Sequence, residues 1–177
     1  MAKRQEFKVL RTYEDFELRE YLPCIIAEVR VPSERSTETS TAFSKLFRYI
    51  SKGNKSSQEI AMTAPVISTQ RVDLSNSTEW FVSFVMPSGS TFGRLPDPND
   101  SQVKLREVHS EICVAKSFRG RANDELSRRM AKELRVSASK VNIALSDETR
   151  ICRFDPPFKP GFLHYNEIVI PAYLGAV

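Results

Sequence analysis

The stretch that decides the fold of this chain is residues 42–66, which read AFSKLFRYISKGNKSSQEIAMTAPV. Apolar side chains recur in its first part about every 100° around a helix, which predicts an amphipathic helix with one apolar face. These positions are Ala42, Phe43, Leu46, Phe47 and Ile50. Gly53 and Asn54 supply the helix stop. The run Ile60–Ile67 then predicts a strand that Pro65 confines to an edge, a bulge or a strand end, because proline lacks an amide hydrogen.

Strands are predicted on both sides of this helix from alternating or continuous apolar runs. They are Phe7–Tyr13, Phe16–Leu22, Cys24–Val31, Trp80–Met86, Val103–Val108, Glu111–Phe118, Thr149–Phe154 and Glu167–Ile170. The run Trp80–Met86 is apolar on both faces, so we expect it to be the most buried strand. A second helix is predicted to begin after Asn123 as its N-cap, with an apolar face that contains Leu126, Met130 and Leu134.

The order of these elements divides the chain into two similar halves around a loop at Leu95–Asp100. Each half contains strands, one helix and two further strands, although the halves share no clear sequence identity. This pattern predicts an α+β protein in which a pseudo-twofold barrel or sheet carries both helices on its outside. With 177 residues, the chain is the size of one domain, and we assign residues 1–177 to it.

Composition narrows the class of protein. The formal net charge of +4 is mildly basic and is too small to indicate a nucleic-acid partner. No apolar run is long enough to span a bilayer, and no apolar segment follows the first charged residues as in a secretory signal, so a cytoplasmic protein is expected. Cys24, Cys113 and Cys152 have no paired spacing and are predicted to be free thiols in apolar strands.

Conventional catalytic motifs do not occur in the sequence. It contains no GxSxG elbow, no phosphate-binding glycine loop and no ligand-spaced histidine pair around His109 or His164, so an enzyme is not expected. The first helix suggests another role, because Phe43 and Phe47 lie one turn apart beside Arg48. Aromatic faces and a cation suit a large flat ligand with anionic edges. The same spacing is also typical of a buried core face, and the residues alone leave both interpretations open.

The chain resembles the SOUL haem-binding family over most of its length, from Tyr13 to Ile170. The residues at 42–66 resemble the family's helix, its glycine-asparagine loop and its Met-Thr-x-Pro-Val strand. The stretch Tyr13–Tyr21 resembles its opening strand, and Trp80–Pro87 resembles its central strand. The segment Phe154–Pro160, followed by Asn166-Glu167-Ile168, is similar to its ending.

The resemblance implies a fold and a ligand. The fold is a distorted antiparallel β-barrel of two pseudo-symmetric halves, each with one long helix packed outside. The ligand is haem or a related tetrapyrrole, bound in a shallow apolar site beside the first helix and the late loop, in a monomer. The residues that correspond to this site are Phe43, Phe47, Arg48 and Lys159.

Two positions depart from the family pattern. Glu20 stands where some members have a histidine that is thought to bind the iron, and Ser40 stands where others have a basic residue. We therefore expect haem binding without strong axial coordination by the protein. Two other functions remain open. One is a binder or sensor of lipophilic molecules without haem, as in the gyrase-inhibitor-like superfamily, and the other is a protein-interaction module.

Overall fold

A computed structural model describes residues 2–33, 36–156 and 158–174. These residues form two α-helices, α1 (Ser36–Ile50) and α2 (Asp124–Lys140), and a short 3-10 helix, Gly161–Leu163. The strands are β1 (Lys3–Arg4), β2 (Phe7–Thr12), β3 (Glu17–Tyr21), β4 (Cys24–Val31), β5 (Thr63–Ala64), β6 (Val66–Val72), β7 (Thr78–Val85), β8 (Lys104–Val108), β9 (Glu111–Arg119), β10 (Ala144–Leu145), β11 (Thr149–Arg153) and β12 (Tyr165–Tyr173). No helix in the described part of the chain is long and apolar enough to cross a membrane.

The main sheet is antiparallel, curls as a half-barrel and has two similar halves. Its order is β2-β3-β9-β12-β11-β6-β7-β4-β8, and β10 pairs with β12 outside this path. The set β4-β7-β6 comes from the first half of the chain and the set β9-β12-β11 from the second, and they meet where β6 pairs with β11. Each half also adds a strand to the sheet of the other half. Strand β3 of the first half pairs with β9 of the second, and β8 of the second half pairs with β4 of the first. This arrangement confirms the predicted α+β fold with two pseudo-symmetric halves.

The two helices pack on one face of the sheet over different strands. Helix α1 contacts β4 and β7, and α2 contacts β9 and β12. A helix is about 10 Å across, which is close to the width of two neighbouring strands. The helices therefore leave the central strands β6 and β11 between them. This gap forms a groove between α1 and α2.

Separate apolar clusters lie between each helix and the sheet and on the opposite face of the sheet. Leu46 and Ile50 of α1 are buried against Val29 and Val82. Leu134 of α2 is buried in a second cluster on β9 and β12. A third cluster, which contains Tyr21, Ile67, Cys113, Cys152 and Val169, lies on the other face of the sheet. The sheet is thus covered by side chains on both faces.

Most predicted elements are confirmed to within two or three residues at each end, and β4 has the predicted limits. The predicted strand Ile60–Ile67 is divided at Pro65, between β5 and β6, as proline requires. The sequence did not indicate the two-residue strands β1 and β10, because so short a pairing has no periodicity. The expectation that Trp80–Met86 is the most buried strand is wrong. Only its part from Val82 to Met86 is buried, because its other part borders the groove.

Candidate functional site

The two faces of α1 differ sharply in exposure. Leu46 and Tyr49 are almost completely buried, and the Tyr49 hydroxyl donates to the Pro96 carbonyl at 2.7 Å. Burial raises the pKa of Tyr49 to about 12. On the other face, Phe43 is 36% exposed and Phe47 is 50% exposed. Of the two interpretations left open by the sequence, the structure excludes a fully buried pair of phenylalanines.

Phe43 and Phe47 form a small aromatic surface on α1. Their rings are nearly parallel, with 6.1 Å between centroids and an interplanar angle of 10°. Phe43 also meets the buried ring of Phe84 edge to face, with centroids 5.2 Å apart. The contact with Phe84 fixes Phe43 to the sheet, and Phe43 in turn supports Phe47. Two parallel exposed rings of this kind offer a flat ligand a surface for stacking.

The two predicted basic residues have different surroundings. Arg48 follows Phe47 on α1 and is exposed. Lys159 lies in the loop between β11 and β12, and its Nζ is 2.8 Å from Asp155 Oδ1. Asp155 Oδ2 also accepts a hydrogen bond from the Tyr165 amide, and the Lys159 contact is the main cause that lowers the pKa of Asp155. The ammonium of Lys159 is thus already paired within its own loop.

The loop between β11 and β12 begins at the same end of the sheet as the aromatic surface. Arg153 at the end of β11 pairs with Val66, and Val66 pairs with Phe84, which contacts Phe43. Two strand spacings, about 10 Å, therefore separate the start of this loop from Phe84. The loop carries two exposed aromatic side chains that the sequence did not indicate as site residues, Phe158 and Phe162. The sequence could have pointed to them, because phenylalanines are unusual in a proline-rich loop that is otherwise expected to be polar.

The groove between α1 and α2 is a second concave feature, with a volume of about 600 Å³. Its floor is formed by β6, β7 and β11, and its walls come mainly from α2 and from the chain around Val31 and Ser33. Helix α1 contributes Thr39, one turn before Phe43. The sequence did not indicate this groove, because its lining comes from segments that are far apart in the chain.

A buried ion pair lies on the opposite face of the sheet. Arg19 of β3 donates to both carboxylate oxygens of Glu167 on β12, at 3.0 and 2.8 Å. Tyr165 donates to Glu167 at 2.7 Å, and Arg4 lies 3.3 Å away. Burial alone would raise the pKa of Glu167, but the hydrogen bonds and charge of Arg19 outweigh it and hold the pKa below its usual value. The interior here is filled by paired charges.

Potential iron ligands lie away from the aromatic surface or are already bonded. His109 is exposed beyond the end of β8, and His164 Nε2 is 2.7 Å from the Lys159 carbonyl oxygen. Glu20 lies on β3, five positions from β7 in the sheet, and so not beside α1. The described residues contain no cluster of three or more His, Cys, Asp or Glu side chains that could hold a metal ion.

The three cysteines are free, as predicted. Burial raises the pKa of Cys113 and of Cys152 to about 12, and it also raises the pKa of Cys24. Thiols with such pKa values carry almost no thiolate at neutral pH, and the thiolate is the reactive and metal-binding form. These cysteines therefore act as small core residues.

Comparisons with known proteins agree with this architecture. The model of a family described as SOUL heme-binding protein matches residues 2–171. Among solved structures, the EcmrR C-terminal domain is 17% identical with a TM-score of 0.68, and the match covers 89% of this chain and 96% of that one. A hydrolase from Listeria innocua is 13% identical with a TM-score of 0.66, covering 93% and 94%. SAV2435 bound to tetraphenylphosphonium is 8% identical with a TM-score of 0.57, covering 90% and 94%.

At these identities the solved structures show a shared fold alone. A comparison with curated proteins gives no significant match.

Proposed function

This chain belongs to the SOUL haem-binding protein family, and we propose that it binds haem or a related tetrapyrrole on the aromatic surface of α1 for buffering, transport or sensing. The family is a binding family, which agrees with the absence of catalytic motifs from the sequence. The observation that carries the proposal is the exposed, nearly parallel pair of Phe43 and Phe47. Exposed aromatic side chains that stack on a supporting core residue offer a preformed surface for a flat apolar ligand.

The charges around this surface suit the acidic edge of a tetrapyrrole. Arg48 follows Phe47, and a guanidinium can donate two parallel hydrogen bonds to a propionate. To reach a second propionate, the Lys159 ammonium would have to break its hydrogen bond with Asp155 or bond to both carboxylates at once. We therefore assign the stronger contact to Arg48 and a weaker one to Lys159.

The iron is expected to lack a strong protein ligand. Glu20 is not beside α1, and a carboxylate is in any case a weaker partner for haem iron than an imidazole. Binding would then depend on stacking, on apolar contact and on the propionates. A ligand held in this way should bind with low to moderate affinity, and metal-free porphyrins should bind nearly as well as haemin.

A haemin titration followed by absorption spectroscopy tests this function. The Soret band should shift on binding, and Phe47→Ala should weaken binding. Arg48→Ala should do so severalfold, since one exposed charge-assisted contact contributes on the order of 1 kcal/mol. Lys159→Ala should have a smaller effect because its ammonium is already paired. The matched control is Lys104→Ala, which removes an exposed lysine on β8 and should leave the affinity unchanged.

The same series with a porphyrin whose propionates are esterified separates charge from packing. Arg48→Ala should not change the affinity for the ester. Equal losses for the acid and the ester would contradict the assigned role of Arg48, and no Soret shift with the wild-type protein would refute tetrapyrrole binding. The second result would favour a binder of other lipophilic molecules, the kind of ligand carried by the structural neighbour SAV2435 in its complex with tetraphenylphosphonium.

A further inference from the structure

The groove between α1 and α2 is separate from the aromatic surface of α1 and has its own chemistry. Neither Phe43 nor Phe47 lines it. The lining of the groove is apolar between its ends, where Ala131 of α2 and Ile151 of β11 belong to one cluster. Trp80 of β7 lies further along the groove, in register with Thr149 of β11 through the intervening strand β6. All three side chains are only partly buried. An apolar middle that remains open to solvent is typical of a ligand-binding groove.

One end of the groove carries a guanidinium that lacks a close counter-charge. Arg153 donates to Ser68 Oγ at 2.8 Å and to the Ala122 carbonyl at 3.1 Å, and both acceptors are neutral. Within the described residues, no carboxylate lies within ion-pair distance of it. Burial lowers the pKa of Arg153, and Cys152 and Asp124 oppose this only in part. A partly buried cation whose charge is not neutralised favours the binding of an anion.

A second polar group at this end also lacks a partner. Ser127 lies on the first turns of α2, shortly after the Ala122 carbonyl that Arg153 contacts. Ser127 is 2% exposed and lines the groove, and among the described residues its Oγ has no hydrogen-bond partner. Buried hydroxyls are nearly always hydrogen-bonded, so a single unpaired one calls for an explanation. A hydroxyl and a guanidinium together suit a carboxylate.

The other end of the groove also carries an arginine whose acceptors are neutral. Arg135 donates to the Ser146 carbonyl and to Thr149 Oγ1, both at 2.9 Å. It follows Ser127 by eight residues on α2, so the two ends are about 12 Å apart along the helix axis. Among the described residues, Ser127 Oγ is the one buried side-chain polar atom without a hydrogen-bond partner, so Arg135 has no comparable group beside it. The structure therefore offers a matched arginine in the same groove for comparison.

We propose that this groove binds an amphipathic monocarboxylate. The carboxylate accepts hydrogen bonds from Arg153 and Ser127, and the apolar body lies over Ile151, Ala131 and Trp80. The length of the groove, about 12 Å between its charged ends, fits an acyl chain of medium length or an aryl-alkyl acid of similar size. This site is distinct from the proposed tetrapyrrole surface and does not depend on it.

Trp80 makes the test direct, because it is the only tryptophan in the chain. Laurate does not absorb in the range of tryptophan emission, so its binding in the groove should change Trp80 fluorescence in a saturable way, below the concentration at which laurate forms micelles. Arg153→Gln should weaken laurate binding about tenfold, the size expected for a partly buried charge-assisted contact. Arg135→Gln should change it little, and dodecanol, which lacks the charge, should bind much more weakly than laurate.

Two further variants keep the test decisive if Arg153→Gln fails to fold. Arg153→Lys retains the cation but loses the forked geometry, so binding should weaken less than in Arg153→Gln. Ala131→Phe fills the groove from a partly exposed position and should abolish the Trp80 response. Phe47→Ala and Arg48→Ala should leave laurate binding unchanged even though they weaken haemin binding, which separates this proposal from the previous one.

Several results would overturn the proposal. They are an absent Trp80 response to laurate, equal affinity for dodecanol, unchanged binding in both Arg153→Lys and Ala131→Phe, or a loss caused by Arg135→Gln rather than by the Arg153 variants. Loss of laurate binding in Phe47→Ala or Arg48→Ala would show a single shared site and would equally refute a separate groove site.

Discussion

At the scale of single residues, neighbouring apolar side chains of α1 have different roles. Leu46 is fully buried between the helix and the sheet, whereas Phe47, the next residue, is half exposed. The difference arises because α1 covers β4 and β7 with one face only. Phe43 lies between these extremes, since its ring contacts Phe84 on one side and Phe47 on the other. An apolar residue at helical spacing is therefore not necessarily part of the core.

This difference leads to a stability prediction. Leu46→Ala should lower the free energy of unfolding by about 2–5 kcal/mol, because it leaves a cavity between α1 and β7. Phe47→Ala should cost clearly less, because half of its ring is already in solvent in the folded protein. Chemical denaturation of both variants measures the difference. A cost for Phe47→Ala equal to that for Leu46→Ala would show that the ring contributes to the core and would weaken its assignment to a ligand surface.

At the scale of elements, α2 has a well-defined beginning. The Asn123 side chain accepts a hydrogen bond from the Leu126 amide at 2.9 Å, as the sequence predicts for an N-cap. Asp124 and Glu125 lie in the first turn, where negative charge is favourable near the helix N-terminus. The start of α2 also holds the Ala122 carbonyl that Arg153 contacts. The cap therefore positions one end of the groove as well as the helix.

Removal of this cap should have a modest and specific cost. Asn123→Ala should reduce stability by about 1 kcal/mol, since one helix amide loses its acceptor. Asn123→Asp keeps an acceptor at the same position and should retain most of the stability. Thermal unfolding of the two variants is the measurement. A melting temperature of Asn123→Ala equal to that of the wild-type protein would mean that the cap contributes nothing, contrary to its geometry.

At the scale of the whole molecule, the Arg19–Glu167 pair joins segments that are distant in the sequence. Arg19 and Glu167 are 148 residues apart and lie on β3 and β12, with β9 between them in the sheet. Arg4 and Tyr165 also contact Glu167, so the N-terminal strand shares the same carboxylate. Removing one partner of a buried pair leaves an uncompensated charge, which is far more costly than the loss of a surface pair.

Glu167→Gln should therefore destabilise the protein at neutral pH by about 3–5 kcal/mol, because Arg19 stays buried without its counter-charge. The pKa of Glu167 is lower in the folded protein than in the unfolded chain. Its contribution to stability is complete above the unfolded-state pKa and is lost as the pH falls through the folded-state pKa. The difference between wild type and Glu167→Gln should accordingly shrink at acidic pH.

Denaturation at several pH values between neutral and strongly acidic measures this effect. The control is Glu107→Gln, which alters an exposed carboxylate on β8 and should have little effect at any pH. A difference between wild type and Glu167→Gln that stays constant down to strongly acidic pH would contradict the role assigned to the ionised carboxylate.

The sequence by itself determined the local structure of this protein. The periodicity of 3.6 residues located both helices, the alternation of apolar residues located the main strands, and Asn123 marked the start of α2. The buried face of α1, with Leu46 and Ile50, also follows from this periodicity. The repeated order of elements indicated the two halves. These features depend on residues that are close in the chain, so their secondary-structure propensities and apolar periodicity can be read directly from the sequence.

Only the tertiary structure decided which surfaces remain open. The exposure of Phe43 and Phe47 depends on which strands α1 covers, and the sequence left that open. The groove exists because β6 pairs with β11 across the two halves while each helix covers a different pair of strands. Arg153 and Ser127 both line this groove, although they come from β11 and α2. Arg19 meets Glu167 on the opposite face through strand pairings between distant segments. Such pairings have no periodicity in the sequence, so the site chemistry that they create became visible only in the fold.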